Sequence, residues 1–453
     1  MTVSFGKKVV YALGQLGLVL CAYGAGKLFL TFYTPNTAPF FANHIHQAPL
    51  FGLFTVAGLA IALGQIADAG ASLASGWLSD RTLLKHGRRT GFMLFSAVPV
   101  AFASFMVFFL PSTNLTVNSV YLVVITLIFY TLLSFYATPY LALLAEIGKT
   151  RQDRMVLSIL MGVATATASL LGNRIFTLAD LLRRVTTLSP SDAFKSIIAV
   201  YALVAAVCML LPAFLIKEKE NEPFEPVRDS FRQALSVVGK DKHFQSYLLA
   251  DSMFRIASAL FIAGFSWFVT VLLKLDQRAA NLLLLTVFFS NLALFYPVFV
   301  LVQIVGKRKM LFIAYVLFMV ALIASVFAGL YPIDPWFQGM VLAFMLSIPY
   351  AVFSVVPNAL VADLAVAAER KTGEKRGGMY FAIHTLIVKS GVIIAGLLFP
   401  LFIVFSGSSL FRQPKGIGLR LVLICAAVFS LVGFFALFGY HEKEVSAVLG
   451  DRD

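Results

Sequence analysis

The chain sets four charged side chains deep inside long apolar stretches: Asp68, Asp251, Arg255 and Lys389. Ionisable groups are costly in such surroundings and mark substrate sites, ion pathways or proton relays. A carboxylate held there can bind a proton or a metal cation, and a lysine competes with that cation for the same carboxylate. Asp251 and Arg255, at i and i+4, share one helical face and either neutralise each other or serve a ligand. Asp68 and Lys389 have no such local partner. Gln65 and Ser72 lie on the face of Asp68, and Ser354 and Asn358 stand one turn apart on another segment. These polar residues are candidates to line the same cavity, the alternative being that each bonds one packed helix to another.

The elements that must position these groups are legible from composition. The 453 residues are 60% hydrophobic and only 13% charged, with 44 Phe. Apolar runs of about 20 residues, the length that crosses a bilayer, recur at 9–33, 50–79, 91–110, 118–146, 155–180, 196–216, 243–274, 278–304, 309–331, 335–366, 379–405 and 416–440. Backbone groups in lipid must be satisfied internally, so the spacing predicts twelve membrane-spanning helices. Asp68, Arg255 and Lys389 then lie roughly 16–18 Å from the inner ends of spans 2, 7 and 11, near the midplane. Lys27 and Arg174 come out at roughly 27–28 Å, close enough to the outer surface to snorkel.

The net charge of +14 follows topology. With the N-terminus inside, 24 of the 36 lysines and arginines fall in inner segments and 8 in outer loops. That bias places both termini in the cytoplasm and removes the reason to invoke nucleic acid. Cys21, Cys208 and Cys425 all lie in apolar runs, so no disulfide is expected. The start mimics a signal peptide, but its run is too long and lacks a cleavage site, so it reads as span 1. No H-E-x-x-H, G-x-S-x-G or paired catalytic acids occur, and His44 and His46 alone are a weak metal signal. An enzyme, a cofactor and a bound metal are not expected.

The stretch 217–242, opening KEKENEPFEPVRD, reads as a cytoplasmic linker between a six-helix bundle at 1–216 and another at 243–453. The halves repeat. GRRTGFML at 87–94 matches GKRKMLFI at 306–313, offset 219, and PYLALLAE at 139–146 matches PNALVAD at 357–363, offset 218. Internal duplication of this kind is a hallmark of secondary transporters, which rock one half against the other around a midplane site.

The loop after span 2, GWLSDRTLLKHGRR, holds Gly76, Asp80, Arg81, Gly87, Arg88 and Arg89. It resembles the G-x-x-x-D-R-x-x-x-x-G-R-R motif of the major facilitator superfamily, with one extra spacer residue. The chain also resembles the glycoside–pentoside–hexuronide:cation symporters, the melibiose-carrier-like branch. The residues behind this are YALGQLG with FLTFYT, QIADAGASLASGWLSDRT, PYLALLAE with a following DR, and PNALVADLAVAAERKTGEKRGGMYFAIHTLIVKSG. The resemblance implies an all-α major facilitator fold of two six-helix pseudo-repeats. It makes Asp68 and Lys389 the cation-coupling pair, with Ser72 beside them. It also implies a cytoplasmic gate in which Gly76 permits close helix approach, Asp80 meets the N-terminus of span 11, and Arg81, Arg88 and Arg89 pair with acids such as Glu146.

The pattern departs at the sites that define sodium and sugar use. Ser72 stands where sodium-using members carry a second acid, which favours the proton over sodium as coupling ion. Leu18-Val19 and Ala137-Thr138 stand where sugar-binding acids are found, which weakens the family's glycoside substrate. The expected activity is cation-coupled symport of a small organic solute. One alternative is transport of an amphipathic or anionic solute such as a lysolipid, and a second is a non-transporting sensor. The expected setting is a monomer in a lipid bilayer, a bacterial inner membrane, with no nucleic-acid partner.

Overall fold

The computed structural model describes residues 3–24, 29–33, 44–47, 55–216, 218, 229–405 and 416–450; Lys27 lies outside them. A helix stands at each of the twelve expected stretches. Spans 1 to 6 are Phe5–Tyr23 (followed by the short Phe29–Tyr33), Val56–Arg81, Thr90–Met106, Leu115–Ile147, Arg151–Asn173 and Pro190–Leu215. Spans 7 to 12 are Lys242–Trp267 with a π turn at Phe268–Leu272, Gln277–Val305, Lys307–Val326, Pro335–Thr372, Gly377–Phe405 and Gly416–Ala436. Eleven of these helices are long and apolar enough to cross a membrane, and Thr90–Met106 is a shorter apolar helix.

Local chemistry sets where the helices start. Side chains of Thr55, Asn114, Thr150, Ser189, Asp241, Asp276 and Asp334 each accept a backbone N–H in the first turn that follows. Such caps satisfy donors that have no partner within the helix. Pro190 and Pro335 occupy first positions, where a missing N–H costs nothing. Span 10 ends on Gly373, whose φ of +76° is the left-handed conformation that glycine tolerates.

By packing the chain divides into two units, 1–231 with 374–383, and 232–373 with 384–453. The start of span 11 thus packs in the first unit. Within the first unit, span 1 packs on span 6, span 2 on span 4, and span 3 on both 4 and 6. The second unit repeats this: span 7 on 12, span 8 on 10, and span 9 on both 10 and 12. In the first unit Tyr11 and Tyr140 donate their hydroxyls to each other's backbone carbonyls, both at 2.8 Å. Their rings stack at 4.4 Å, and Tyr136 extends the stack at 5.7 Å.

Two boundaries differ from expectation. The run at 155–180 is broken at Arg174, and residues Ile175–Val185 form a separate amphipathic helix with exposed Leu181 and Val185. The stretch 217–242 is not all linker: it contains the helix Phe231–Gly239, while 219–228 lie outside the described residues.

Candidate functional site

In span 2 the buried positions include Ala60, Gly64, Asp68, Ala71, Ser72, Ser75, Gly76, Ser79 and Asp80. This stripe of small residues lets span 4 approach closely, and Asp68, Ser72 and Ser75 meet span 4 at one residue. Ser134 bonds the Asp68 carboxylate and the Asp68 carbonyl, the latter at 3.0 Å. Its hydroxyl lies 2.9 Å from that of Ser72, and Ser75 donates to its carbonyl at 3.1 Å. Gln65, also on span 2, is half-buried. The acid is therefore set among neutral hydroxyls. Sequence reading overlooked Ser134; the available signal was a polar residue five places before Pro139 in an apolar run.

The second unit holds Asp251, fully buried in span 7. Arg255 Nε, one turn along the same helix, approaches its Oδ1 at 3.6 Å. His384 of span 11 supplies what that reading overlooked, its Nε2 lying 3.0 Å from Asp251 Oδ2. His384 stands within the apolar run 379–405, which was the legible clue. Arg255 also donates from Nη2 to the carbonyl of Phe353 at 3.0 Å. Ser354 donates to the carbonyl of Tyr350, in its own helix, at 2.7 Å. Asn358 in span 10 and Lys389 in span 11 are both half-buried.

The third cluster is at the ends of spans 2 to 4 and the start of span 11. Asp80 is buried and accepts the backbone N–H groups of Gly378 and Met379, each at 2.8 Å. These are first-turn donors that a helix leaves unsatisfied, and they carry the positive end of its dipole. Arg89, fully buried, pairs with Asp80, with Ser79 and, at 2.8 Å, with Glu146. Arg88 also pairs with Glu146. Burial works against the Arg89 charge, but Asp80 and Glu146 outweigh it and hold its pKa above the ordinary arginine value. Gly76 is where span 2 meets this turn: a Cβ there would lie 2.7 Å from both the Gly378 carbonyl oxygen and Ala382 Cβ.

Arg81 does not join this network, contrary to the expectation that it pairs with an acid. It is exposed and lies over the Trp77 ring at 5.2 Å. An unexpected acid takes part instead. Glu218 accepts the backbone N–H groups of Arg88, Arg89 and Thr90, each at 2.6 Å, and so caps span 3. The second unit has a counterpart: Glu442 accepts from Lys307 and Arg308 at 3.0 and 2.8 Å, and Lys307 pairs with Asp363 of span 10.

Comparison with known proteins adds the family. A profile described as MFS/sugar transport protein matches residues 10–444. Among curated proteins none matches the chain. Among solved structures, a bacterial homologue of the iron transporter ferroportin in an outward-facing state superposes with a TM-score of 0.70 at 12% identity, covering 96% of this chain and 99% of its own. The proton:xylose symporter XylE gives 0.65 at 14% identity, covering 98% of both chains. The E. coli fucose:proton symporter FucP gives 0.65 at 14% identity, with 96% and 99% covered.

Proposed function

The chain belongs to the MFS/sugar transport protein family, and on that premise we propose that it is a cation-coupled symporter that moves a small organic solute by alternating access. That it is a multi-pass membrane transporter of the major facilitator fold rests on family and architecture together. The same fold serves xylose, fucose and iron carriers, so ion and cargo must be argued from side chains.

Asp68 carries the reading. It is a buried carboxylate whose neighbours from spans 2 and 4 include the neutral hydroxyls of Ser72 and Ser134. A sodium ion needs several oxygen ligands and their negative charge, whereas a proton needs one titratable group. The coupling ion is therefore the proton, taken up and released at the Asp68 carboxylate. The network of Gly76, Asp80, Arg88, Arg89 and Glu146 is the cytoplasmic gate: releasing the N–H groups of Gly378 and Met379 frees the start of span 11. Both termini face the cytoplasm of a bacterial inner membrane, and the working unit is a monomer.

Within the family, the melibiose-carrier-like branch makes a glycoside the reference substrate. A second solute class is favoured by Arg255, whose side chain is 29% accessible, and by the apolar or neutral Leu18, Val19, Ala137 and Thr138 at the places of sugar-binding acids. These suit an amphipathic or anionic solute, such as a lysolipid, better than a neutral sugar.

Reconstitution into liposomes with an internal pH dye and an imposed sodium gradient tests this. Sugars, organic anions and lysolipids are screened together, with Asp68→Asn as control. The expected result is solute-driven proton uptake that Asp68→Asn abolishes. Sodium-dependent flux would overturn the proton assignment, and neutral glycosides winning over anions would overturn the second solute class. Binding without any flux would turn the molecule into a sensor.

A further inference from the structure

The helix Ile175–Val185 takes part in neither coupling nor gating. Span 4 ends in the gate cluster at Glu146, and span 5 begins close behind it at Arg151. Span 5 is 23 residues long, so its end at Asn173 lies about 34 Å away, on the opposite face of the unit. There the end of span 1 meets it, through a hydrogen bond from the Tyr23 hydroxyl to Asn173. Spans 5 and 6 each pack on span 1. The helix starts at the end of span 5 and packs on span 6, so it crosses over the end of span 1. Its first turn is fastened by Phe176, whose ring stacks on Phe32 at 5.5 Å and on Phe194 of span 6 at 6.0 Å.

The apolar arc of this crossing helix is wider than the surface the protein covers. Ile175 and Ala179, one turn apart, are buried, and Leu178 and Leu182 beside them are half-buried. Leu181 and Val185, again one turn apart, carry the arc round one flank and are 56% and 77% exposed. Asp180, Arg183 and Arg184 occupy the remaining circumference, all exposed, and Arg174 is exposed at the turn before. The acid stands 3.8 Å from Arg183, so the balance of charge on this face is basic. From this arrangement we infer that the helix lies in the headgroup layer of the bilayer and binds anionic phospholipid there. An apolar flank beside a basic face is what such a position demands. Leu181 and Val185 enter the acyl region, while Arg174, Arg183 and Arg184 meet lipid phosphates, whose oxygens match the forked donors of a guanidinium. Under the proposed topology the leaflet is the outer one; the lipid contact itself depends on neither solute nor coupling ion.

The test uses the full chain with Cys21, Cys208 and Cys425 replaced by serine, labelled with bimane at Val185→Cys or at Asp180→Cys. It is placed in nanodiscs of phosphatidylcholine and phosphatidylglycerol, with bromine on the acyl chains of one lipid at a time. Bromolipid is expected to quench the label at 185, and acrylamide in the water the label at 180. At equal mole fraction, brominated phosphatidylglycerol is expected to act at 185 as though enriched about fivefold over brominated phosphatidylcholine. Arg183→Gln with Arg184→Gln is expected to bring the two lipids level. If that double variant does not assemble, loss of the enrichment at high salt in the arginine-bearing chain is the deciding result. Acrylamide quenching at 185 would place the flank in water, and shielding from both agents would mean that protein covers it. Either result, or equal quenching by the two lipids before the arginines are changed, overturns the proposal. None of these readouts requires transport, so failure here leaves the symporter reading standing.

Discussion

Arg89 shows how much one side chain decides. Its guanidinium meets Asp80, Ser79 and Glu146 at once, using the planar, forked donor set that lysine lacks. Arg89→Lys keeps the charge and cannot keep all three contacts. The expected loss is on the order of 2 kcal/mol, read as a lower unfolding temperature in detergent. Because its pKa is raised on folding, the stabilisation is complete below the ordinary arginine range and is lost only as pH rises above it. Moderately alkaline buffer is therefore expected to leave this network intact. At this scale the sequence was legible wherever a charge stood in an apolar setting or a motif spacing, as with Asp68, Asp80, Arg89 and Glu146. The motif resemblance named two partnerships, Arg88 and Arg89 with Glu146 and Asp80 with the start of span 11, and other partners were not legible. Ser134 lies 66 residues from Asp68, Glu218 lies 130 from Arg88, and His384 lies 133 from Asp251. Residue type and helical spacing describe one face of one helix, and they do not say which distant segment comes to meet it.

Among the elements, the tightest described crossing of span 2 with span 11 is at Gly76 and Gly378. A Cβ on Gly378 would stand 2.5 Å from the Gly76 carbonyl oxygen, and the obstacle at both positions includes backbone. Gly76→Leu is therefore expected to cost about 1–3 kcal/mol by overpacking and to loosen the grip of Asp80 on the first turn of span 11. Faster amide hydrogen exchange at 377–383, compared with the unsubstituted chain, is the measurement, and unchanged exchange would contradict it. The positions of the spans were readable because a bilayer demands long apolar runs, but their ends were not. Ile175–Val185 is apolar enough to pass as a continuation of span 5. What separates it is the turn at Arg174, after Gly172 packs against the Tyr23 ring. An apolar run reports length and does not report direction.

For the whole molecule, the repeat was visible as two motif pairs with nearly equal offsets, and it reappears as matching helix pairs within each unit. It goes further than the motifs showed. Each unit closes its third helix with an acid placed after its sixth, Glu218 in one and Glu442 in the other. Both acids open the same E-K-E triplet, at 218–220 and 442–444. The proposed topology makes a direct prediction at this scale. With Cys21, Cys208 and Cys425 replaced by serine, Ser4→Cys and Lys443→Cys are both expected to react with a membrane-impermeant thiol reagent from the cytoplasmic side alone. Labelling of either from outside would invert or break the assignment.

The tyrosine stack of the first unit has an optical consequence. Tyr136, Tyr140 and Tyr11 hold three aromatic chromophores nearly parallel, with centroids 4.4 and 5.7 Å apart. At that separation their electronic transitions couple, and the coupled band is chiral because the helices fix the rings. Near-ultraviolet circular dichroism, with Tyr11→Phe as reference, therefore offers a signal tied to the first unit, without adding a probe to a chain whose tryptophans number only three.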